Sequence, residues 1–312
     1  MEKDHPVITI TPTGPETCVE INKLPRMGLV FLKALLISPF RSNTLADTAV
    51  VAKTRIVFQD FQPDHALIQN YRTVCGFSHN NPGTIPITYL QTLFIGLLGK
   101  FITSSFFPLN PMGLIQVFQS FEQKRPVKID ERLDLACILS DFTKKETGIE
   151  TRFILEIRSN GEIVWQGISA FFTRSGAKKT SSPKKSDETF LEKKEAIPVP
   201  SGTGRLYAGV SGDYNPHHLY TLSAKLFGFK KAIAHGMWSL ARGVASLDRE
   251  FDLHKGPASI EASFKLPVFM PAVTTLGWEQ SKDEETGRAM VKFELRDQQK
   301  GLPHLKGRLL LH

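Results

Sequence analysis

Ser211-Gly212-Asp213-Tyr214-Asn215-Pro216-His217-His218 sets a carboxylate and an imidazole five positions apart in one short segment. Gly, Asn and Pro supply the backbone freedom and restraint that turns require, so the segment reads as a loop rather than a strand or helix. Downstream, Ala234-His235-Gly236-Met237 opens a stretch in which Met237, Leu240, Ala241, Val244 and Leu247 recur at helical spacing, predicting a helix over 236–247. Alternation and β-rich composition then predict strands near 258–268, 274–280, 290–296 and 304–311. Asp213 and His218 are thereby expected to face a helix N-terminus, an arrangement suited to proton transfer on a carbonyl compound.

The same order of elements occurs upstream. An apolar helix is predicted near 85–106, followed by strands near 113–122, 132–142, 151–158 and 163–174, with Asn160-Gly161 as a tight hairpin turn. Phe121 through Val127 is matched by Phe264 through Val268, 143 positions on, and Leu155-Glu-Ile-Arg158 by Phe293-Glu-Leu-Arg296, 138 on. Tyr71-Arg-Thr-Val-Cys-Gly76 is matched by Tyr207-Ala-Gly-Val-Ser-Gly212, 136 on. Three ordered matches at similar offsets indicate duplication. The near-uniform apolarity of 85–106 indicates a helix buried on most sides, with antiparallel strands curled around it. The expected division is an N-terminal extension (1–48), a first domain (49–174), a Lys/Ser-rich linker (175–196) and a second domain (197–312).

With 312 residues, 41% hydrophobic and 22% charged, the chain has the composition of a globular protein of two ordinary domains. Cys18, Cys75 and Cys137 show no CxxC or metal spacing, which fits reduced thiols in a cytoplasmic protein. No basic head followed by an apolar core marks a signal peptide. Residues 29–40 are too short to span a bilayer, and 84–107 carry Pro86 and Lys100, so no stable membrane insertion is expected. Residues 24–41 leave two other readings open, a segment lying on a membrane surface or one covering a groove. The net charge of +8 favours anionic partners. No nucleic-acid motif accompanies the lysines, so a phosphate-bearing small molecule or an acidic carrier protein is preferred to nucleic acid.

Tyr207 through His218, then Gly228-Phe229, then Ile233-Ala-His-Gly-Met237, resembles the MaoC-like hydratase/dehydratases, which include the R-specific 2-enoyl-CoA hydratases. The likeness covers about 206–312, and the first half resembles the degenerate partner of double hot-dog members. It implies an α+β tandem (double) hot-dog fold, each half an antiparallel sheet around a long central helix. It also implies a lyase of fatty-acyl metabolism that interconverts trans-2-enoyl and (R)-3-hydroxyacyl thioesters of CoA or acyl carrier protein. By the same resemblance the catalytic pair falls on Asp213 and His218, the bracing asparagine on Asn215, and the glycine whose N–H receives the thioester oxygen on Gly236. His217 departs from the family, where an aliphatic residue is usual, and is a rival imidazole to His218. No cofactor is implied, and a monomer is already a pseudo-dimer, although a homodimer stays open.

Plainer readings stand beside these. Asp213-x-Asn215-Pro216 alone is an Asx-type turn, and Ser211, which lacks GxSxG flanks, reads as a loop brace rather than a nucleophile. His235 reads as a hydrogen-bonding residue at the helix start. No metal is expected, since adjacent histidines diverge and no Cys or second acid is well spaced. At the 136-residue offset Phe77, His79 and Pro82 stand where Asp213, Asn215 and His218 stand, so the first half is expected to do no chemistry. Its phenylalanines (Phe77, Phe94, Phe101, Phe106, Phe107) line an acyl groove or, by default, pack its core. Two other functions remain: a non-catalytic acyl-thioester binding protein, disfavoured by the intact pair, and a hot-dog thioesterase, disfavoured by the loop.

Overall fold

Antiparallel pairing dominates the chain. The computed structural model describes residues 8–175 and 191–312. Strands are β1 (Thr9–Ile10), β2 (Thr13–Glu20), β3 (Ala52–Phe61), β4 (Leu114–Gln123), β5 (Leu133–Lys145), β6 (Gly148–Ser159), β7 (Glu162–Arg174), β8 (Lys193–Val199), β9 (Ala258–Phe264), β10 (Ala272–Lys282), β11 (Ala289–Asp297) and β12 (Pro303–Leu311). Helices are α1 (Met27–Ile37), α2 (His65–Cys75), α3 (Tyr89–Thr92), α4 (Ile95–Ile102), α5 (Thr203–Ser211), α6 (Pro216–Leu219), α7 (Thr221–Leu226) and α8 (Gly236–Phe251).

The strands run β2-β3-β5-β6-β7-β4-β9-β12-β11-β10-β8, with β1 beside β5. From β3 to β4 and from β8 to β9 the order is the same, mirrored about the β4–β9 seam. Gln119 pairs there with Ala262, the residue 143 positions on, so the pseudo-two-fold axis passes through that pair. Buried Gln119 is satisfied by Ser169 Oγ, Gln116 Nε2 and its own bond to the Ser120 carbonyl. Gln123 Nε2 crosses between halves to donate to the Leu253 and Gly256 carbonyls. The axis recurs among the helices: Tyr71 on α2 and Tyr207 on α5 lie with ring centroids 6.1 Å apart. Each of these helices ends on a left-handed glycine, Gly76 and Gly212, both at φ 80°.

This is the double hot-dog arrangement, an α+β fold in which two mainly antiparallel halves, joined into one sheet, wrap helices. In the second half the central helix α8 runs sixteen residues, with Leu240, Ala241, Val244 and Leu247 fully buried. Its stripe faces the sheet, and Trp238 Nε1 ties it to α2 by donating to the Val74 carbonyl at 3.2 Å.

The first half differs from the continuous helix expected at 85–106, which is broken into α3 and α4. Pro86 delays entry, and the Thr92 hydroxyl takes the Tyr89 carbonyl at 2.6 Å, competing with the main-chain ladder. Gly96 and Gly99 then open one face of α4 to α1. A Cβ on Gly99 would lie 2.8 Å from Val30, and one on Gly96 3.3 Å from Leu24 and Pro25. Of the phenylalanines expected to pack the core by default or to line an acyl groove, three take the default. Phe94, Phe101 and Phe107 are fully buried, with ring contacts to Trp165 (5.7 Å), Phe153 (5.2 Å) and Phe142 (6.1 Å). They are core.

Sequence patterning did not predict β1, β2, β3 or β8. β2 pairs parallel to β3, and β8 closes the far edge against β10. Within the expected 175–196 linker, residues 176–190 lie outside the described residues, and β8 begins at Lys193.

Candidate active site

The loop between α5 and α6 carries the acid. Gly212 turns the chain out of α5, the Ser211 hydroxyl accepts from the Asp213 N–H at 3.2 Å, and Asp213 Oδ1 accepts from the Asn215 N–H at 3.2 Å. Ser211 therefore braces the loop. Asn215 meets Asp213 through its main chain rather than its side chain, then hands over to α6, where Pro216 fits the first helical position.

His218, on α6, is buried, and its Nδ1 donates to the Ile233 carbonyl at 2.8 Å. A carbonyl only accepts, so in the neutral ring Nδ1 carries the proton and Nε2 the lone pair. The acceptor segment is itself fixed: Ile233 N–H donates to the His217 carbonyl at 3.1 Å, and Ala234 N–H to the Val268 carbonyl at 2.9 Å. His235 follows, nearly fully buried, with Nε2 donating to the Asp213 carbonyl at 2.9 Å and lying 3.9 Å from Asp213 Oδ2. Its Nδ1 is a buried nitrogen with no hydrogen-bond partner. The His218 and His235 rings stack, centroids 3.7 Å apart and planes 26° from parallel.

The structure thus brings Asp213, His218 and His235 together, one donor atom of each lying within 4.8 Å of the others. These three form the single such cluster among the described residues. Stacked imidazoles send their in-plane lone pairs nearly side by side, whereas a tetrahedral metal needs ligands converging from separate directions. The set is better shaped to hold a water between a carboxylate and an imidazole. Burial pushes His218 and His235 down to about 3, aided in His218 by His235 and in His235 by His217. Asp213 opposes the shift in His218 but does not overcome it. Both rings are neutral near neutral pH, while Asp213 keeps 34% of its side-chain surface exposed.

His217, the rival imidazole, lies outside this cluster. Its ring packs against Phe227 (5.8 Å) and Phe229 (5.4 Å), and burial holds its pKa far below the usual value.

Gly236 begins α8. The helical ladder starts with Ser239 N–H to the His235 carbonyl, so the N–H groups of the first turn precede it and point out of the helix end. Their dipole favours negative charge there, and no acidic side chain in the first turn occupies it. A Cβ on Gly236 would lie 3.0 Å from the Phe264 ring, so a side chain here fits only if that ring shifts by a few tenths of an ångström.

Sequence reasoning missed Gly204, Phe264 and Ile233. A Cβ on Gly204, in α5, would lie 1.9 Å from the His218 carbonyl oxygen, so α5 and α6 touch through bare backbone. No spacing rule signals Gly204, because its partner is a carbonyl fourteen residues away. In the first half, the loop equivalent to 212–218 holds a structural clamp instead. The buried Arg72 guanidinium donates to the Ser78 and Asn81 carbonyls, both at 2.8 Å, and to the Thr84 carbonyl. A cavity of about 410 Å³ lies elsewhere, lined by β4, β6, β7, β9 and β12, and contains none of the three clustered residues.

Fold and site together define a tandem hot-dog protein with a carboxylate–imidazole cluster at the head of its central helix. Residues 184–300 match the family described as MaoC like domain. The chain is 26% identical over 266 residues to 3-hydroxyacyl-thioester dehydratase X of Mycobacterium tuberculosis, covering 80% of this chain and 86% of that one. The crystal structure of HtdX from that organism superposes with a TM-score of 0.67 at 24% identity, over 82% of this chain and 98% of that one. A MaoC-like dehydratase from Phytophthora capsici gives 0.65 at 19%, over 83% and 95%. A Mycobacterium tuberculosis protein described as having a double hot-dog fold gives 0.54 at 9%, over 82% and 95%.

Proposed function

We propose that this protein is a cytoplasmic hydro-lyase that reversibly adds water to trans-2-enoyl thioesters, giving (R)-3-hydroxyacyl thioesters of CoA or acyl carrier protein. The observation that carries the reading is the convergence of Asp213, His218 and His235 within 4.8 Å beside the N-terminus of α8. The likeness to 3-hydroxyacyl-thioester dehydratase X supports it.

In the hydration direction a water sits between the Asp213 carboxylate and Nε2 of His218. Nε2 takes one of its protons as the water oxygen bonds to the β-carbon of the enoyl thioester. The π-electrons shift to give an enolate whose charge rests on the thioester oxygen, held by the Gly236 N–H and the helix dipole. The imidazolium then returns the proton to the α-carbon, so one water adds across one double bond. A ring whose pKa is pushed to about 3 is a weak base but a strong conjugate acid, which speeds this return. Asp213 offsets that weakness by stabilising the transient cation and orienting the water. His235 fixes the carbonyl of Asp213 and positions the loop.

The first half supplies no chemistry in this reading. Phe77, His79 and Pro82 replace the acid, asparagine and base, and Arg72 locks that loop. Its domain (49–174) completes the sheet of the catalytic one (197–312) through the β4–β9 seam.

The test is to follow loss of the conjugated thioester absorbance with crotonyl-CoA and with a medium-chain trans-2-enoyl-CoA. Hydration gives the (R)-3-hydroxyacyl product without free thiol, and Asp213→Asn or His218→Ala abolishes it. Release of free thiol by the parent would establish a thioesterase instead. Acyl-thioester binding without turnover on either CoA or carrier-protein substrates would establish a binding protein.

A further inference from the structure

Helix α1, Met-Gly-Leu-Val-Phe-Leu-Lys-Ala-Leu-Leu-Ile, is apolar at every side chain but Lys33. A helix of that kind is stable when every side meets an apolar medium. Here the protein supplies one side only. Val30 and Ala34 are buried, Val30 packing toward Gly99 of α4. Leu29, Leu32 and Leu36, with Phe40 just beyond the helix, face outward, from 52% exposed at Leu32 to 87% at Phe40. The Phe31 ring reaches Phe227 at 6.2 Å and so joins α1 to α7, whose Leu222 and Leu226 are 78% and 82% exposed. Six large apolar side chains thus stand exposed on α1, the turn after it and α7, elements joined through the Phe31–Phe227 contact, which is more than the scattered exposure normal for a surface.

Charge decides what covers it. No Asp or Glu lies between Glu20 and Asp47, or between Asp213 and Asp248. Lys23, Arg26 and Lys33 accompany the first segment, and Lys225, Lys230 and Lys231 the second, all exposed. Apolar helices whose own segments carry only cations are complementary to a lipid surface with anionic headgroups, where leucines enter the acyl boundary and lysines remain at the phosphates. At eleven residues α1 is about 16 Å long, half of what a bilayer span needs, so it lies in the plane.

We infer that α1 and α7 form a docking surface for anionic membrane lipid, beside the mouth of the site. The position is functional: Phe227, at the end of α7, contacts His217, the neighbour of His218. Docking places the loop of the Asp213–His218 pair next to a lipid surface, from which a long acyl chain enters without crossing water. The surface itself does not depend on the catalytic reading, because it is built from residues that take no part in it.

The test uses the full chain and sedimented vesicles, either phosphatidylcholine alone or an equal mixture of phosphatidylcholine and phosphatidylglycerol. The protein should pellet with the mixed vesicles, weakly with phosphatidylcholine, and less as salt screens the lysines. Leu32→Glu/Leu36→Glu and, independently, Leu222→Glu/Leu226→Glu should each lower partitioning by roughly tenfold or more. All four positions are exposed, so the variants should melt like the parent and keep its turnover of soluble crotonyl-CoA, which separates failure of docking from failure of the catalytic reading. Parent protein that stays in the supernatant with both vesicles would overturn the inference, as would undiminished binding by both double variants. A lipid-free dimer made monomeric by Leu32→Glu/Leu36→Glu would reassign the face to a second copy of the chain.

Discussion

Replacing Gly204 by alanine tests the geometry that places His218. The new methyl carbon would lie 1.9 Å from the His218 carbonyl oxygen, 2.9 Å from its carbon and 3.1 Å from the Met270 methyl. The first two are backbone atoms and have no rotamer to escape into. To reach 3.0 Å, below which real Cβ atoms essentially never approach, α5 and α6 must part by at least 1.1 Å. That displacement acts on the residue whose imidazole is aimed by a 2.8 Å bond to Ile233. A misplacement of about 1 Å in a reacting group can cost roughly 10²-fold in rate, and overpacking costs about 1–3 kcal/mol in stability. Gly204→Ala should therefore lower kcat for crotonyl-CoA about a hundredfold and reduce the unfolding free energy in urea by about 1–3 kcal/mol. Gly209, in the same helix with nothing within 4 Å of its missing Cβ, is the matched control. Gly209→Ala should keep full activity and gain about 0.5–1 kcal/mol from helix propensity. A Gly204→Ala enzyme with parental kcat and parental stability would refute the close approach of α5 and α6, and with it the account of how His218 is held.

Asp213→Asn and His218→Ala should each lower kcat by about 10²–10⁴-fold with little change in thioester affinity, measured by the same absorbance assay and by equilibrium binding. Gly236→Ala should lose stability through its 3.0 Å contact with Phe264; adding Phe264→Leu should restore the melting temperature but not kcat, because the thioester oxygen remains obstructed. The pH dependence has a defined sign. His218 and His235 sit at about 3 when folded against 6.5 when free, so between those values the unfolded chain binds more protons and stability falls as pH falls. Each buried imidazole contributes a slope of about 1.4 kcal/mol per pH unit, and His217→Leu should flatten the urea-measured slope by roughly one such share. For the same reason kcat/KM should show no acid limb near pH 6.5; a limb there would contradict a neutral, buried His218.

The duplication was legible because three motif pairs kept similar offsets, and the second half was legible because its helix stripe survived intact; the β4–β9 seam was not. The first half's helix was misjudged for a physical reason. Uniform apolarity reports burial, not continuity, and the break at Thr92–Ile95 depends on a side-chain-to-carbonyl bond that no periodicity displays. The edge strands β2 and β8 and the neighbouring β3 were missed because strands with largely exposed, polar faces lack the alternation that marks the inner ones. At the site, residue types and spacing singled out Asp213 and His218, the family resemblance pointed to Gly236, and His235 read as a hydrogen-bonding residue at the helix start; what was not legible is which ring nitrogen carries a proton. That follows from the Ile233 carbonyl, a backbone partner invisible in sequence.

The β4–β9 seam has a consequence for synthesis on the ribosome. β4 acquires its first neighbour when β7 ends at Arg174, yet its second edge waits for Ala258, eighty-four residues later. At about 5–20 residues per second that edge stays open for roughly 4–17 s in each nascent chain. An open edge of ordinary hydrophobic sequence would recruit strands from neighbouring nascent chains. β4 reads Leu-Ile-Gln-Val-Phe-Gln-Ser-Phe-Glu-Gln, with a polar amide or carboxylate never more than three positions from the next. Spacing of that kind interrupts any apolar run long enough to template aggregation, so the strand that later joins the two halves is also one that tolerates waiting for its partner.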